Sequence, residues 1–156
     1  MKYARLTKEQ FEELHEEFSR FLATRSISHD DWVVMKASRP EAVDEELDLF
    51  SDLVWEGVLG NVTYLENISE QQMHLFHADE KEIRLISVKV LNPEIDLRNQ
   101  EGFSWFKKNW QSDFVDYLTA SKFYNDERSK EVFDLIQQGA IITKGELFMW
   151  FDGMIE

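Results

Sequence analysis

Val62-Thr-Tyr-Leu-Glu-Asn-Ile68, Gln72-Met-His-Leu-Phe-His-Ala78 and Ile83-Arg-Leu-Ile-Ser-Val-Lys-Val-Leu91 follow one another in the middle of the chain. Up to Gly60-Asn61 the apolar residues recur every three or four positions; beyond it they recur every two. The first period belongs to a helix and the second to a strand. The last two runs are separated by the polar Asp79-Glu80-Lys81-Glu82, which predicts a hairpin. In the third run Ile83, Leu85, Ser87 and Lys89 alternate with Arg84, Ile86, Val88 and Val90. Apolar groups occupy both faces at one end, which suits a central strand. Ser69-Glu-Gln-Gln72 fits either a turn or the cap of a short helix.

Working outward toward the N-terminus, Thr7-Lys-Glu-Gln10 is a capping box that opens a helix to about Ala23. Phe11, Leu14, Phe18, Phe21 and Leu22 give that helix one apolar stripe. Ser28 caps a second helix to about Ala37, with Asp30 and Asp31 in the first turn, where the helix dipole favours negative charge. Pro40 suits the first turn of a third helix that Gly60-Asn61 stops. Val43, Leu47, Phe50, Val54 and Val58 share one arc of it. Glu41, Asp44, Glu45, Asp48, Asp52 and Glu56 lie opposite, while Glu46 sits at the apolar edge and Trp55 among the acids.

Toward the C-terminus, Asn92-Pro93 ends the β region. A helix is expected from Gly102 to Trp110. Phe114-Val-Asp-Tyr-Leu118 is either a strand or its continuation. Asn125 is expected to cap a helix from Asp126 to Gln138, with Gly139 as its stop. Ala140-Ile-Ile142 then links to a capping box, Thr143-Lys-Gly-Glu146, and a last helix to about Met154. Helices at both ends packed around a small central antiparallel sheet make the expected fold α+β, in a single domain over residues 1–156.

Of the 156 residues, 43% are hydrophobic and 13% aromatic, enough to offset the ordering entropy that keeps acidic tails unfolded. There is no Cys, which excludes disulfides, thiolate nucleophiles and cysteine-ligated metals. The opening MKYARLTKEQF has no apolar core of a secretory signal, and no run is long enough to span a membrane. A cytoplasmic setting is expected.

The charge is unevenly placed. Residues 40–80 contain eleven carboxylates and no Lys or Arg, out of a net charge of −14 for the chain. Direct binding to a phosphate backbone or to anionic lipid needs clustered cations, so neither is expected. A basic protein surface is the partner such a field would meet. Trp55 on that face adds a cation–π partner for an incoming Lys or Arg. The candidate partner-binding residues are therefore Asp44, Glu45, Asp48, Asp52, Trp55 and Glu56. The alternative for Trp55 is that another element, such as the 62–68 strand, covers it.

Other constellations have plainer explanations. Glu12-Glu-Leu-His15 has the Glu-x-x-His spacing of di-metal bundles, but no second copy occurs. His74 and His77 would point to opposite faces of a strand, so one metal would not take both. The acids of the third helix lack the glycine-containing loop that calcium sites use. Residues 138–146 imitate a helix-turn-helix, yet Glu146, Leu147, Phe148 and Trp150 stand where a DNA-reading helix needs basic or amide groups. No Gly-rich phosphate loop and no nucleophile–His–Asp frame is evident, so no catalytic, metal or cofactor residue is assigned.

Several of these stretches recur together: Leu6-Thr-Lys-Glu-Gln-Phe-Glu-Glu-Leu-His-Glu-Glu-Phe18, Glu46-Leu-Asp-Leu-Phe-Ser-Asp-Leu-Val-Trp-Glu-Gly57, Ser69-Glu-Gln-Gln-Met73, Leu118-Thr-Ala-Ser-Lys122 and Gln138-Gly-Ala-Ile-Ile-Thr-Lys-Gly-Glu-Leu-Phe148. In them the chain resembles a family of small, acidic Bacteroidota proteins without an assigned activity. The resemblance implies a bacterial cytoplasmic protein and chooses no function. Three functions stay open. The first is a non-enzymatic interaction domain that presents the acidic helix face to a basic partner. The second is a nucleic-acid-mimicking inhibitor or regulator. The third is an enzyme or metal-binding protein with a Glu/His/Trp pocket.

Overall fold

The computed structural model of the chain describes residues 1–155. The architecture is α+β, with helices before and after an antiparallel five-stranded sheet. The chain forms two compact units, residues 1–60 and residues 61–156.

The N-terminal unit is helical: α1 (Lys8–Glu13), α2 (His15–Thr24), α3 (His29–Ser38) and α4 (Pro40–Gly60). Both expected capping boxes form, Thr7 with Gln10 and Ser28 with Asp31. The first expected helix is two. Leu14 leaves helical geometry at φ −101°, although its N–H still donates to Gln10 and its carbonyl accepts from Phe18. The result is a kink and not a termination. Phe18 is the hub of the apolar stripe. Its ring lies 5.4 Å from those of Phe11 and Trp32 and 5.0 Å from that of Phe50. Leu22, Trp32 and Met35 are buried beside it.

The C-terminal unit holds the sheet: β1 (Tyr64–Ile68), β2 (Gln72–Ala78), β3 (Glu82–Val90), β4 (Val115–Phe123) and β5 (Ile141–Thr143), in the order β4-β3-β2-β1-β5. Its helices are α5 (Gln100–Asn109), α6 (Arg128–Gln137) and α7 (Glu146–Ile155). The hairpin of β2 and β3 forms as expected, in the register Gln72↔Lys89 to Ala78↔Ile83. β3 has neighbours on both sides, as its apolar content requires. One face of the sheet carries Met73, Leu75, Ile86 and Val88, and Phe106, Phe148 and Phe151 of α5 and α7 close over it. Arg84 locks α7 to β3 through two hydrogen bonds to Asp152. Elsewhere in the unit, Arg128 of α6 donates to the carbonyls of Val62, Ala78 and Asp79 at the strand ends.

Two open alternatives resolve and one expectation changes. Ser69 and Gln72 form a turn, with the Ser69 N–H donating to the Gln72 carbonyl, so no helix intervenes between β1 and β2. Residues 114–118 are strand, and the strand runs on through Phe123. Residues 141–143 are not a link but β5, paired antiparallel with β1, and the Thr143 hydroxyl accepts from Gly145 instead of capping a helix. In each case tertiary pairing overrides a local signal that was too short to decide. The cap of α6 also moves: Glu127, without a side-chain cap, takes the place expected of Asn125.

Gly102 fixes how α5 leaves the preceding loop. Its N–H donates to the Asn99 side chain, and a Cβ there would stand 1.8 Å from the carbonyl oxygen of Asp96. That obstacle is backbone and has no rotamer to escape into. Gly102→Ala is expected to destabilise the C-terminal unit by about 1–3 kcal/mol, despite the better helix propensity of Ala. Urea denaturation of the variant checks it.

Candidate functional site

The acidic face of α4 is not bare. Residues 2–6 run along it and satisfy its acids in order. The backbone N–H groups of Lys2 and Tyr3 donate to the two oxygens of Asp52 at 2.7 and 2.8 Å. The Lys2 ammonium and the Tyr3 hydroxyl both donate to Glu56, at 2.7 and 2.6 Å. Arg5 reaches Asp48 at 2.7 Å and Asp44 at 3.3 Å. The Leu6 N–H donates to the buried Ser51 hydroxyl at 3.0 Å. Hydrogen bonds from Lys2 and Tyr3 hold the Glu56 carboxyl below its ordinary range, and Asp48 raises Arg5.

Trp55 is half-buried, and its indole N–H donates to the Ala4 carbonyl at 3.0 Å. An element does cover it: within its own unit the N-terminal segment lies against it. Glu46 is buried, with Arg25 against its carboxylate in an ionic contact rather than an aligned hydrogen bond. Of the six candidate partner residues, Asp44, Asp48, Asp52, Trp55 and Glu56 thus meet groups of their own chain. Glu45 stays exposed.

Within the C-terminal unit His74 and His77 point to opposite faces of β2. His15 contacts the Glu12 carbonyl in the N-terminal unit. In the C-terminal unit His77 stacks on Tyr64 with ring centroids 4.6 Å apart, while His74 is 6.5 Å from Phe76. Among the described residues no group of three or more His, Asp or Glu is placed to hold a metal ion.

A concave site does exist in the C-terminal unit. It is a cavity of about 720 Å³, lined by Glu66, Phe103, Phe106, Lys107, Thr143, Lys144, Glu146, Leu147 and Trp150. Glu66 and Thr143 come from β1 and β5, Phe103, Phe106 and Lys107 from α5, and Leu147 and Trp150 from α7. Its wall at residues 143–146 depends on Gly145, which has φ +81° and lies flat on Tyr64; a Cβ would stand 2.3 Å from the Tyr64 ring. The Lys107 ammonium sits 5.2 Å over the Phe103 ring, and the Trp150 ring is 4.8 Å from Trp110. The lining sets four large apolar side chains, Phe103, Phe106, Leu147 and Trp150, among the polar and charged Glu66, Lys107, Thr143, Lys144 and Glu146.

Glu66 is the anomaly. In β1 it alternates with Leu65 and Asn67 and shares a face with Tyr64 and Ile68, both of which pack on the core. Its cross-strand partner in β2 is Leu75, which is buried. Burial alone raises its carboxyl above the ordinary range. Among the described residues no hydrogen bond or ion pair reaches it. The sequence signal was available, an acid in phase with core residues of a strand, but the helices that roof it come from residues 100–109 and 146–155.

The chain belongs to a family of unknown function, DUF6495, whose model matches residues 1–156. No curated protein and no solved structure matches it. No helix among the described residues is long and apolar enough to cross a membrane.

Two outcomes are expected. The folded state holds the Glu66 proton to a higher pH than the unfolded chain does. The corresponding stability is present at low pH and lost as pH climbs through the raised value. Glu66→Gln should therefore gain in melting temperature over the parent as pH rises from about 4 to about 8. In the N-terminal unit, Asp52→Ala removes the acceptor of two backbone amides and should cost about 1–2 kcal/mol in a thermal or urea melt.

Proposed function

We propose that the protein is a non-enzymatic binding protein whose working site is the cavity of the C-terminal unit. Its ligand is a small molecule with a flat apolar body and an amine or other hydrogen-bond donor at one end. The observation that carries this is Glu66: a half-buried acid without a side-chain partner, set beside Phe103, Phe106, Leu147 and Trp150 in a lining that also holds Lys107, Thr143, Lys144 and Glu146. Desolvation without compensation is costly, and a ligand donor supplies the compensation. Phe103, Phe106, Leu147 and Trp150 take the apolar body. The setting proposed is the bacterial cytoplasm.

A panel of aryl-alkylamines beside the matched aryl-alkyl carboxylates, read by thermal shift, tests it. The amines should stabilise the chain, and Glu66→Gln should erase their advantage. Failure of both classes to bind removes the proposal.

A second function, docking of a basic partner on α4, draws support from the N-terminal segment. Lys2 and Arg5 pair with the acids that such a partner would use. Asp44 and Glu45 are the exposed end of that face and the point of entry. An arginine-rich peptide should bind at low salt and not at high salt, and should be lost on Asp44→Lys with Glu45→Lys. Equal binding to the charge-reversed chain would sink it.

A further inference from the structure

β4 is a nine-residue strand at the open end of the sheet, bonded on one side to β3. From Asp116 onward it is exposed, apart from half-buried Tyr117. Leu118 is 61% and Phe123 74% exposed. Open edges are normally guarded by proline, by a bulge or by charges that repel a second strand. β4 contains no proline, and its register with β3 runs without interruption from Glu82↔Phe123 to Val90↔Val115.

The backbone shows which groups are unspent. The Leu91 N–H donates to the Phe114 carbonyl, while the Val90 N–H turns the other way, to Gln71. Hydrogen-bonded and non-bonded pairs alternate along an antiparallel ladder. Asp116, Leu118, Ala120 and Lys122 therefore spend their amides on β3. Tyr117, Thr119, Ser121 and Phe123 aim theirs outward, while the Val115 N–H is already spent on the Ser112 carbonyl.

The charges of β4 are self-complementary. Asp116 and Lys122 stand three residues on either side of Thr119. A second β4 laid antiparallel about Thr119 sets Asp116 against Lys122 of the other copy, twice. It also sets Thr119 against Thr119 and Leu118 against Ala120, and it offers the free amides of Tyr117, Thr119, Ser121 and Phe123 to the other copy. Only the outward-facing residues would be hydrogen-bonded in this register, which is what the ladder leaves available. A slip of two residues in either direction leaves both charges without mates. Lys122 already holds Glu131 at 3.0 Å, and an ammonium has donors for a second carboxylate.

We propose that two copies of this chain join through their β4 edges, antiparallel about Thr119, into one continuous sheet. This stands independently of the cavity. The position of Thr119 gives a direct test, because the chain has no Cys of its own. In the paired state the two Thr119 Cα atoms are about 5.5 Å apart, within disulfide reach, whereas the two Ser121 positions are about 15 Å apart. Under mild oxidation Thr119→Cys should cross-link into a dimer and Ser121→Cys should not. Thr119→Pro removes one outward N–H without touching the β3 ladder. It should halve the mass seen in sedimentation while leaving the circular dichroism unchanged. A parent chain that is monomeric at about 100 µM overturns the proposal. So does equal cross-linking at the two cysteine positions.

Discussion

The hydrogen-bond register of the antiparallel ladder is the constraint on which the C-terminal unit depends. Every side chain of a strand is assigned to a face by its position, and a slip of one residue would exchange the faces. With Tyr64 opposite His77 and Leu75 opposite Ile86, the face beneath α5 and α7 receives Met73, Leu75, Ile86 and Val88. The same register puts Glu66 on that face, beside the buried Leu75. An acid in that position is neither a core residue nor a surface residue. The cavity exists because the helices above it stop short of covering it.

The parts of the fold that were legible in the sequence are those carried by local chemistry. Thr7 and Ser28 cap helices because their hydroxyls reach amides three residues on, an interaction that needs no distant partner. β2 and β3 were legible because each alternates over seven or more residues and the turn between them is short. β5 was not, because three residues carry no period; Ile141 to Thr143 become a strand only by lying beside β1. The far half of β4 was hidden for a related reason. Its Thr-Ala-Ser-Lys run has little apolar alternation and is held extended by β3.

The candidate site divides in the same way. Trp55 and the acids around it were recognisable as a face of one helix, but the segment that meets them begins some fifty residues earlier in the chain. Nothing in the pattern of α4 identifies that segment. The cavity joins β1, β5, α5 and α7, and no stretch of sequence contains more than a fragment of it. Tyr117 illustrates the general difficulty. Its hydroxyl donates to the Trp110 carbonyl, and burial pushes its pKa up to about 12, yet as a sequence position it is an ordinary strand tyrosine.

The position of the N-terminal segment has a consequence for synthesis. Lys2 and Tyr3 leave the ribosome before Asp52, which receives their amides and is made 50 and 49 residues later. At ordinary elongation rates the interval is roughly 3–10 s. During it Tyr3 and Leu6, buried in the finished unit, lack the Asp52 and Ser51 groups that receive their amides. The contacts of residues 2–6 with α4 therefore cannot form until α4 has been made. The nascent chain holds residues 2–6 in waiting until α4 emerges to receive them.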